Sequence, residues 1–132
     1  MYPGHWAQVT PDKPAVVMAN SDSAVTYGEL DERSTRLARV WQNAGLRPGD
    51  GVALFMENQP RFLEVVWAAL RSGLRITPVN RYLTSAEAAY IVNDCDASAI
   101  VTSKAMATVA EELVDQIPGC KLRLSVDGPV DG

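Results

Sequence analysis

The stretch VALFMENQPRFLEVVWAALRSGLRITPVN, residues 52–80, decides the fold of this chain. It opens on a continuous apolar run, Val52 to Met56. Such a run is expected of a strand covered on both faces, because a half-exposed strand alternates apolar with polar residues. Pro60 suits a first helical position, where its missing N–H leaves nothing unpaired. Phe62, Val65, Val66, Ala69 and Leu70 then recur at i, i+3, i+4, i+7 and i+8, which marks one face of an α-helix. Gly73 closes that helix, and Ile76 to Val79 reads as a second strand, with Pro78 placing part of it at an edge or end. Strand, helix and strand at this spacing predict a right-handed crossover within a mainly parallel sheet.

Upstream, a short N-terminal helix runs into the proline-punctuated turn Thr10-Pro11-Asp12-Lys13-Pro14. Ala15 to Ala19 reads as a buried strand, Asn20-Ser21-Asp22-Ser23 as a turn, and Ala24-Val25 as the returning arm of a hairpin. Thr26 and Glu29 stand at capping-box spacing, so each side chain can satisfy the other's backbone amide at a helix start. The helix that follows places Leu30, Leu37, Ala38, Trp41 and Ala44 on one face. Gly45 is a natural left-handed stop, Leu46 can fold back onto the last turn, and Pro48 blocks continuation.

Downstream, Thr84 and Glu87 form a second capping box before a helix with Ala88, Ile91, Val92 and Cys95 facing inward. Ala97 to Thr102 is a strand. Met106, Val109, Ala110, Leu113, Val114 and Ile117 form another helix face, ended by Pro118-Gly119. Leu122, Leu124 and Val126 alternate as a last strand, and residues 128–132 form a turn-rich tail. The expected class is α/β: three layers, a mainly parallel sheet flanked by helices, and an antiparallel hairpin near the N-terminus.

At 132 residues the chain suits one domain, and 47% hydrophobic with 21% charged residues is a globular balance that argues against disorder. A net charge of −4 with interspersed signs gives no general attraction for nucleic acid. Cys95 and Cys120 are far apart, and with His5 as the lone histidine they lack metal-ligand spacing. Two reduced thiols in a cytoplasmic setting fit better than a single disulfide. Met1 to Thr10 lacks the blocks of a secretory signal, and Val65 to Leu70 is far too short to span a membrane.

Several short motifs then fall into one order. Thr10 to Ala15, Thr26-Tyr27-Gly28-Glu29-Leu30, Gly45 to Ala53 with Pro48-Gly49-Asp50, Leu70 to Asn80, and Leu83-Thr84 with Glu87 and Tyr90-Ile91 succeed one another along the chain. In order and spacing they resemble the N-terminal part of the adenylate-forming enzymes: acyl-CoA synthetases, luciferases and the adenylation domains of peptide synthetases. Thr26 to Leu30 resembles the first signature motif and Leu70 to Asn80 the second. Asn80 after Pro78-Val79 is more similar to the acyl-CoA synthetase and luciferase branch. Gly51 and Arg75 depart from the family's usual residues.

The resemblance implies an ATP-dependent, AMP-forming activation of a carboxylic or fatty acid, followed by transfer to CoA, with ATP, Mg and CoA required by the intact enzyme. It also implies a Gly/Ser/Thr-rich phosphate loop ending in Lys, for which residues 1–132 hold no candidate: the turn after Met56 is Glu57-Asn58-Gln59-Pro60. The chain therefore reads as a partial adenylate-forming domain that stops before that loop, inactive alone and needing no cofactor by itself. The alternative is a stand-alone, non-catalytic α/β module. The expected partners are the remainder of the ligase or a second copy, since an uncovered sheet edge promotes self-association.

No catalytic or metal residue is carried over. The suggestive constellation is Arg71, Arg75, Arg81 and Tyr82, because the resemblance implies that residues just after the second motif lie near the CoA nucleotide. Arg81 and Tyr82 are the candidate cofactor-proximal pair, weighed against an ordinary exposed-arginine role. His5 reads as a surface residue, Trp6 as an anchor for the N-terminal helix, and Trp41 and Trp67 as packing. Glu29 is accounted for by its cap, Glu57 by a solvated turn, and Glu111-Glu112 by a polar helix side.

Overall fold

The computed structural model describes residues 2–19 and 21–131. Asn20, expected in the hairpin turn, Gly132 in the tail, and Met1 lie outside the described residues. In chain order the elements are α1 (Pro3–Val9), β1 (Pro14–Val17), β2 (Ala24–Thr26), α2 (Tyr27–Asn43), β3 (Gly51–Phe55), α3 (Pro60–Arg71), β4 (Arg75–Pro78), α4 (Ser85–Asp94), β5 (Ala97–Ser103), α5 (Ala107–Leu113) and β6 (Leu122–Val126). Single 3₁₀ turns flank α5 at Lys104–Met106 and Val114–Gln116.

Four strands form a parallel sheet in the order β4-β3-β5-β6, and β1 and β2 form a separate antiparallel pair. The three-layer expectation follows from the side-chain alternation of β3. Val52, Leu54 and Met56 join Trp41 of α2 and Val65, Ala68 and Ala69 of α3 in one cluster. Ala53 and Phe55 join Ala88, Ala89 and Val92 of α4 and Leu113 of α5 in another. All five residues of β3 are buried, so both faces of this strand carry core. Each fully buried Val, Leu or Phe there contributes about 1.5–3 kcal/mol.

The local signals act as their chemistry requires. Thr26 Oγ1 accepts from Glu29 N at 3.2 Å while Glu29 Oε2 accepts from Thr26 N at 2.9 Å. Thr84 and Glu87 repeat the arrangement at 3.4 and 2.9 Å. Gly45, at φ 89°, turns the chain out of α2 so that Leu46 N reaches back to Trp41 O at 3.0 Å. Pro78 ends an edge strand, where its missing donor breaks no ladder.

Gly51 has a structural reason to be glycine. A Cβ there would lie 2.9 Å from Asp96 O and 3.0 Å from Cys95 O, and the β3–β5 register shifts at this point. The backbone of the α4–β5 turn occupies the space of the missing side chain.

Four expectations are corrected. The buried strand Ala15–Ala19 is instead Pro14–Val17, half-exposed, with Val17 at 68% exposure, because the hairpin stands apart from the main sheet. On α3 the buried stripe is Glu64, Val65, Ala68 and Ala69, and Leu70 is 50% exposed. On α2 Ala44 is exposed, while Ser34 is buried with its Oγ donating to Leu30 O at 2.6 Å. On α4 Ala89 is buried, and Ile91 and Cys95 are partly exposed.

Polar pairs fasten α2 to α3. Arg33 Nη1 donates to Glu64 Oε1 at 3.0 Å, and Glu64 is buried. Arg71 donates to Asp31 and to Thr35 Oγ1, with its guanidinium 5.4 Å from the Tyr2 ring centroid. The hydrogen bond to Glu64, foremost, holds the Arg33 guanidinium protonated even more firmly than usual. Both cysteines are free thiols, and burial pushes Cys120 up to about 11. Among the described residues no helix is long and apolar enough to cross a membrane.

Two denaturation measurements follow from this packing. Thr26→Ala is expected to cost about 1 kcal/mol through the lost cap, and Gly51→Val about 1–3 kcal/mol through overpacking against backbone, both read from urea midpoints. The caps also set a pH dependence. The Thr26 and Thr84 backbone amides, foremost, hold the Glu29 and Glu87 carboxyls below their ordinary value of 4.5. A depressed folded pKa adds stability above the unfolded pKa and loses it as pH falls through the folded one. Urea midpoints are thus expected to hold near neutrality and fall below pH 4.5, less steeply in Glu29→Gln.

Candidate functional site

The order β4-β3-β5-β6 means that the chain leaves β3 for one neighbour and then crosses to the other side. With one crossover hand, the two directions put α3 and α4 on opposite faces, as the two core clusters require. Ligands of open α/β sheets bind outside the carboxyl ends of the strands at such a reversal. Here those ends lead into Met56-Glu57-Asn58 after β3, Val79 to Tyr82 after β4, and Lys104 after β5.

A cleft of about 460 Å³ opens at this end, lined by Met56, Glu57, Phe62, Val79, Arg81 and Tyr82 among others. Asn80 shapes its rim: Asn80 Oδ1 accepts from Tyr82 N at 3.0 Å and Asn80 O from Leu83 N at 3.2 Å. The turn presents Arg81 and Tyr82 outward. Arg81 Nη2 donates to Tyr82 OH at 2.7 Å, its guanidinium lies 4.5 Å from the Tyr82 ring centroid, and Tyr82 is 78% exposed. An exposed ring beside a guanidinium offers a stacking face and a cation to a ligand with a flat base and phosphates.

Glu57 corrects the solvated-turn expectation. Its carboxylate accepts from the buried Ser103 hydroxyl and from Gln59 Nε2 at 2.7 Å. It thereby ties the carboxyl ends of β3 and β5 at the point where the strand order reverses. Ser103 was missed because only the β3–β5 pairing brings it near Glu57.

The arginine constellation divides. Arg81 and Tyr82 are together at the cleft, but Arg71 is held at the end of α3 by Asp31 and Thr35. Arg75 Nε donates to Gly49 O at 2.8 Å, at the opposite end of β4. His5 is exposed, with its ring 5.2 Å from that of Trp6, which also lies 6.3 Å from the Tyr27 ring and so anchors α1 to α2. Trp41 is fully buried and Trp67 partly so. Glu111 and Glu112 are exposed on α5. Among the described residues no three His, Cys, Asp or Glu side chains are grouped to hold a metal ion.

Known proteins share this architecture. The chain is 31% identical over 98% of its length to a feruloyl-CoA synthase from Amycolatopsis sp. It is 37% identical over 80% of its length to a long-chain-fatty-acid–CoA ligase from Escherichia coli O6:H1. Its structure matches that of a Mycobacterium tuberculosis fatty acyl CoA synthetase over 95% of the chain, with 25% identity and a TM-score of 0.84. The chain spans 27%, 18% and 26% of the lengths of these three proteins. The family model of AMP-binding enzymes matches residues 4–131, and the chain belongs to that family.

Proposed function

We propose that this chain is an N-terminal portion of an ATP-dependent, AMP-forming acyl-CoA ligase acting in the cytoplasm, where it serves as scaffold and as one wall of the acyl and CoA sites. The observation that carries this reading is the strand-end cleft with Arg81 stacked on Tyr82 at its rim, in a chain of this family. A carboxylate is a poor electrophile, so its activation by ATP needs donors and cations around the phosphates. The described residues group no acidic or histidine ligands for Mg²⁺, and no glycine-rich loop follows β3. In this reading the chemistry belongs to other parts of such a ligase, and this chain contributes binding surface.

Within that surface Tyr82 supplies a face for the CoA adenine and Arg81 a cation for its phosphates. Asn80 fixes the turn that holds both, and Glu57, which also lines the cleft, is held by the Ser103 hydroxyl. The sheet ends on two edge strands, β4 and β6, whose outer backbone groups have no strand partner among the described residues. The remainder of the ligase is the partner proposed for these edges, with a second copy as substitute when the chain is alone.

The isolated chain is expected to give no ATP–pyrophosphate exchange above blank with Mg²⁺ and a panel of carboxylic acids; turnover would contradict the scaffold role. Titration with CoA is expected to shift the backbone amides of residues 80–83, and Arg81→Glu to abolish those shifts. Unmoved amides at millimolar CoA would remove Arg81 and Tyr82 from the CoA site. Light scattering is expected to show mass rising with concentration, and a monomer throughout would contradict the edge-pairing proposal.

A further inference from the structure

A second concavity lies at the opposite end of the sheet. It is a groove of about 570 Å³ between the carboxyl ends of α2 and α3, closed by the segments that lead into β3 and β4. Its walls include Arg39, Arg47 and Arg71, and no Asp or Glu lines it. Arg39 and Arg47 are exposed, and among the described residues neither guanidinium forms an ion pair or hydrogen bond. In a chain of net charge −4, one acid-free groove thus has two arginines with unpaired guanidiniums among its lining residues.

Two buried donors in the same walls lack acceptors. Trp41 is fully buried and lines the groove, yet its Nε1–H has no partner. Arg71 spends its terminal nitrogens on Asp31 and Thr35, while its buried Nε–H has none. A buried donor left unpaired costs about 1–3 kcal/mol, so an acceptor that entered the groove and met either N–H would remove that cost.

Helix-end charge compensation accounts for part of this arrangement only. Most of the last carbonyls are already met: Val40 O, Trp41 O and Gln42 O of α2 by Ala44 N, Leu46 N and Gly45 N, and Ala68 O, Ala69 O and Leu70 O of α3 by Ser72, Leu74 and Gly73. Asn43 O and Arg71 O are left over, and among the described residues neither the Arg39 nor the Arg47 guanidinium bonds to them.

We propose that this groove is an anion site for a small molecule bearing phosphate, with Arg39 and Arg47 as clamping cations and Trp41 Nε1–H and Arg71 Nε–H as donors from the wall. Phosphate oxygens accept several charge-assisted bonds at once, which suits this donor set better than a single-acceptor ligand. The site is independent of the strand-end cleft, from which β3 and β4 separate it, and does not rest on the ligase reading.

The test follows the three tryptophan indole N–H signals of the ¹⁵N-labelled chain, the Trp41 signal being the one lost in Trp41→Phe. Inorganic phosphate, pyrophosphate and glycerol 3-phosphate are titrated separately, with sodium chloride at matched ionic strength as control. A saturable shift of the Trp41 signal with any of the three, absent with chloride, is expected. Stronger binding of glycerol 3-phosphate would identify a phosphomonoester ligand, and stronger binding of the inorganic ions a free anion. Arg39→Gln with Arg47→Gln, both surface changes that leave the fold intact, is expected to weaken binding about tenfold or more. Trp41→Phe, followed through the Arg47 backbone amide, is expected to weaken it while retaining both arginines. No saturable shift, a shift reproduced by chloride, or undiminished binding in the double variant would overturn the proposal.

Discussion

The rest of the structure depends on burying β3 on both faces. Val52 and Leu54 point into the cluster built on α2 and α3, and Ala53 and Phe55 into the one built on α4 and α5. A strand with that pattern cannot lie at the surface of a two-layer fold. It also pairs on both sides, with β4 and with β5, so its backbone groups are spent within the sheet. Helices are needed above and below it, and the chain supplies them by crossing first to one side and then to the other. Three layers and the reversal in strand order are consequences of this one requirement.

The same reversal separates outward-facing polar groups from structural fastening. At the carboxyl ends of the strands the loops are short and carry outward-facing groups: Asn80 as a turn former, Arg81 and Tyr82 as presented side chains, and Glu57 bridging to Ser103. Elsewhere Arg33 with Glu64 and Arg71 with Asp31 hold α2 against α3. A buried carboxylate such as Glu64 is tolerable only with a partner, and Arg33 provides it across the helix interface. Rigid helices on one sheet face thereby steady the loops at its end.

Much of the fold was legible because its signals are local. Both capping boxes, the left-handed stop at Gly45 and the edge proline Pro78 each depend on a few neighbouring residues. The continuous apolar run of β3 revealed its double burial directly. What stayed hidden depends on contacts distant in sequence. Glu57 looks like a turn acid until β5 brings Ser103 beside it, 46 positions away. Arg71 and Arg75 look like neighbours of Arg81 until β4 puts its own length between them. Leu70 and Ala68 are both apolar, so periodicity alone did not say which one the sheet would cover; Ala68 fits the close approach of α3 and Leu70 falls outside it. Gly51 seemed a departure without cause until the turn at Cys95–Asp96 was found in its side-chain space.

Native-state hydrogen exchange tests the dependence on β3 most directly. If the doubly buried strand is the keystone, the amides of β3 and β5 exchange last, through global unfolding only, while those of the β1–β2 hairpin exchange early through local opening. Amides of β3 that exchange as fast as those of the hairpin would contradict the account.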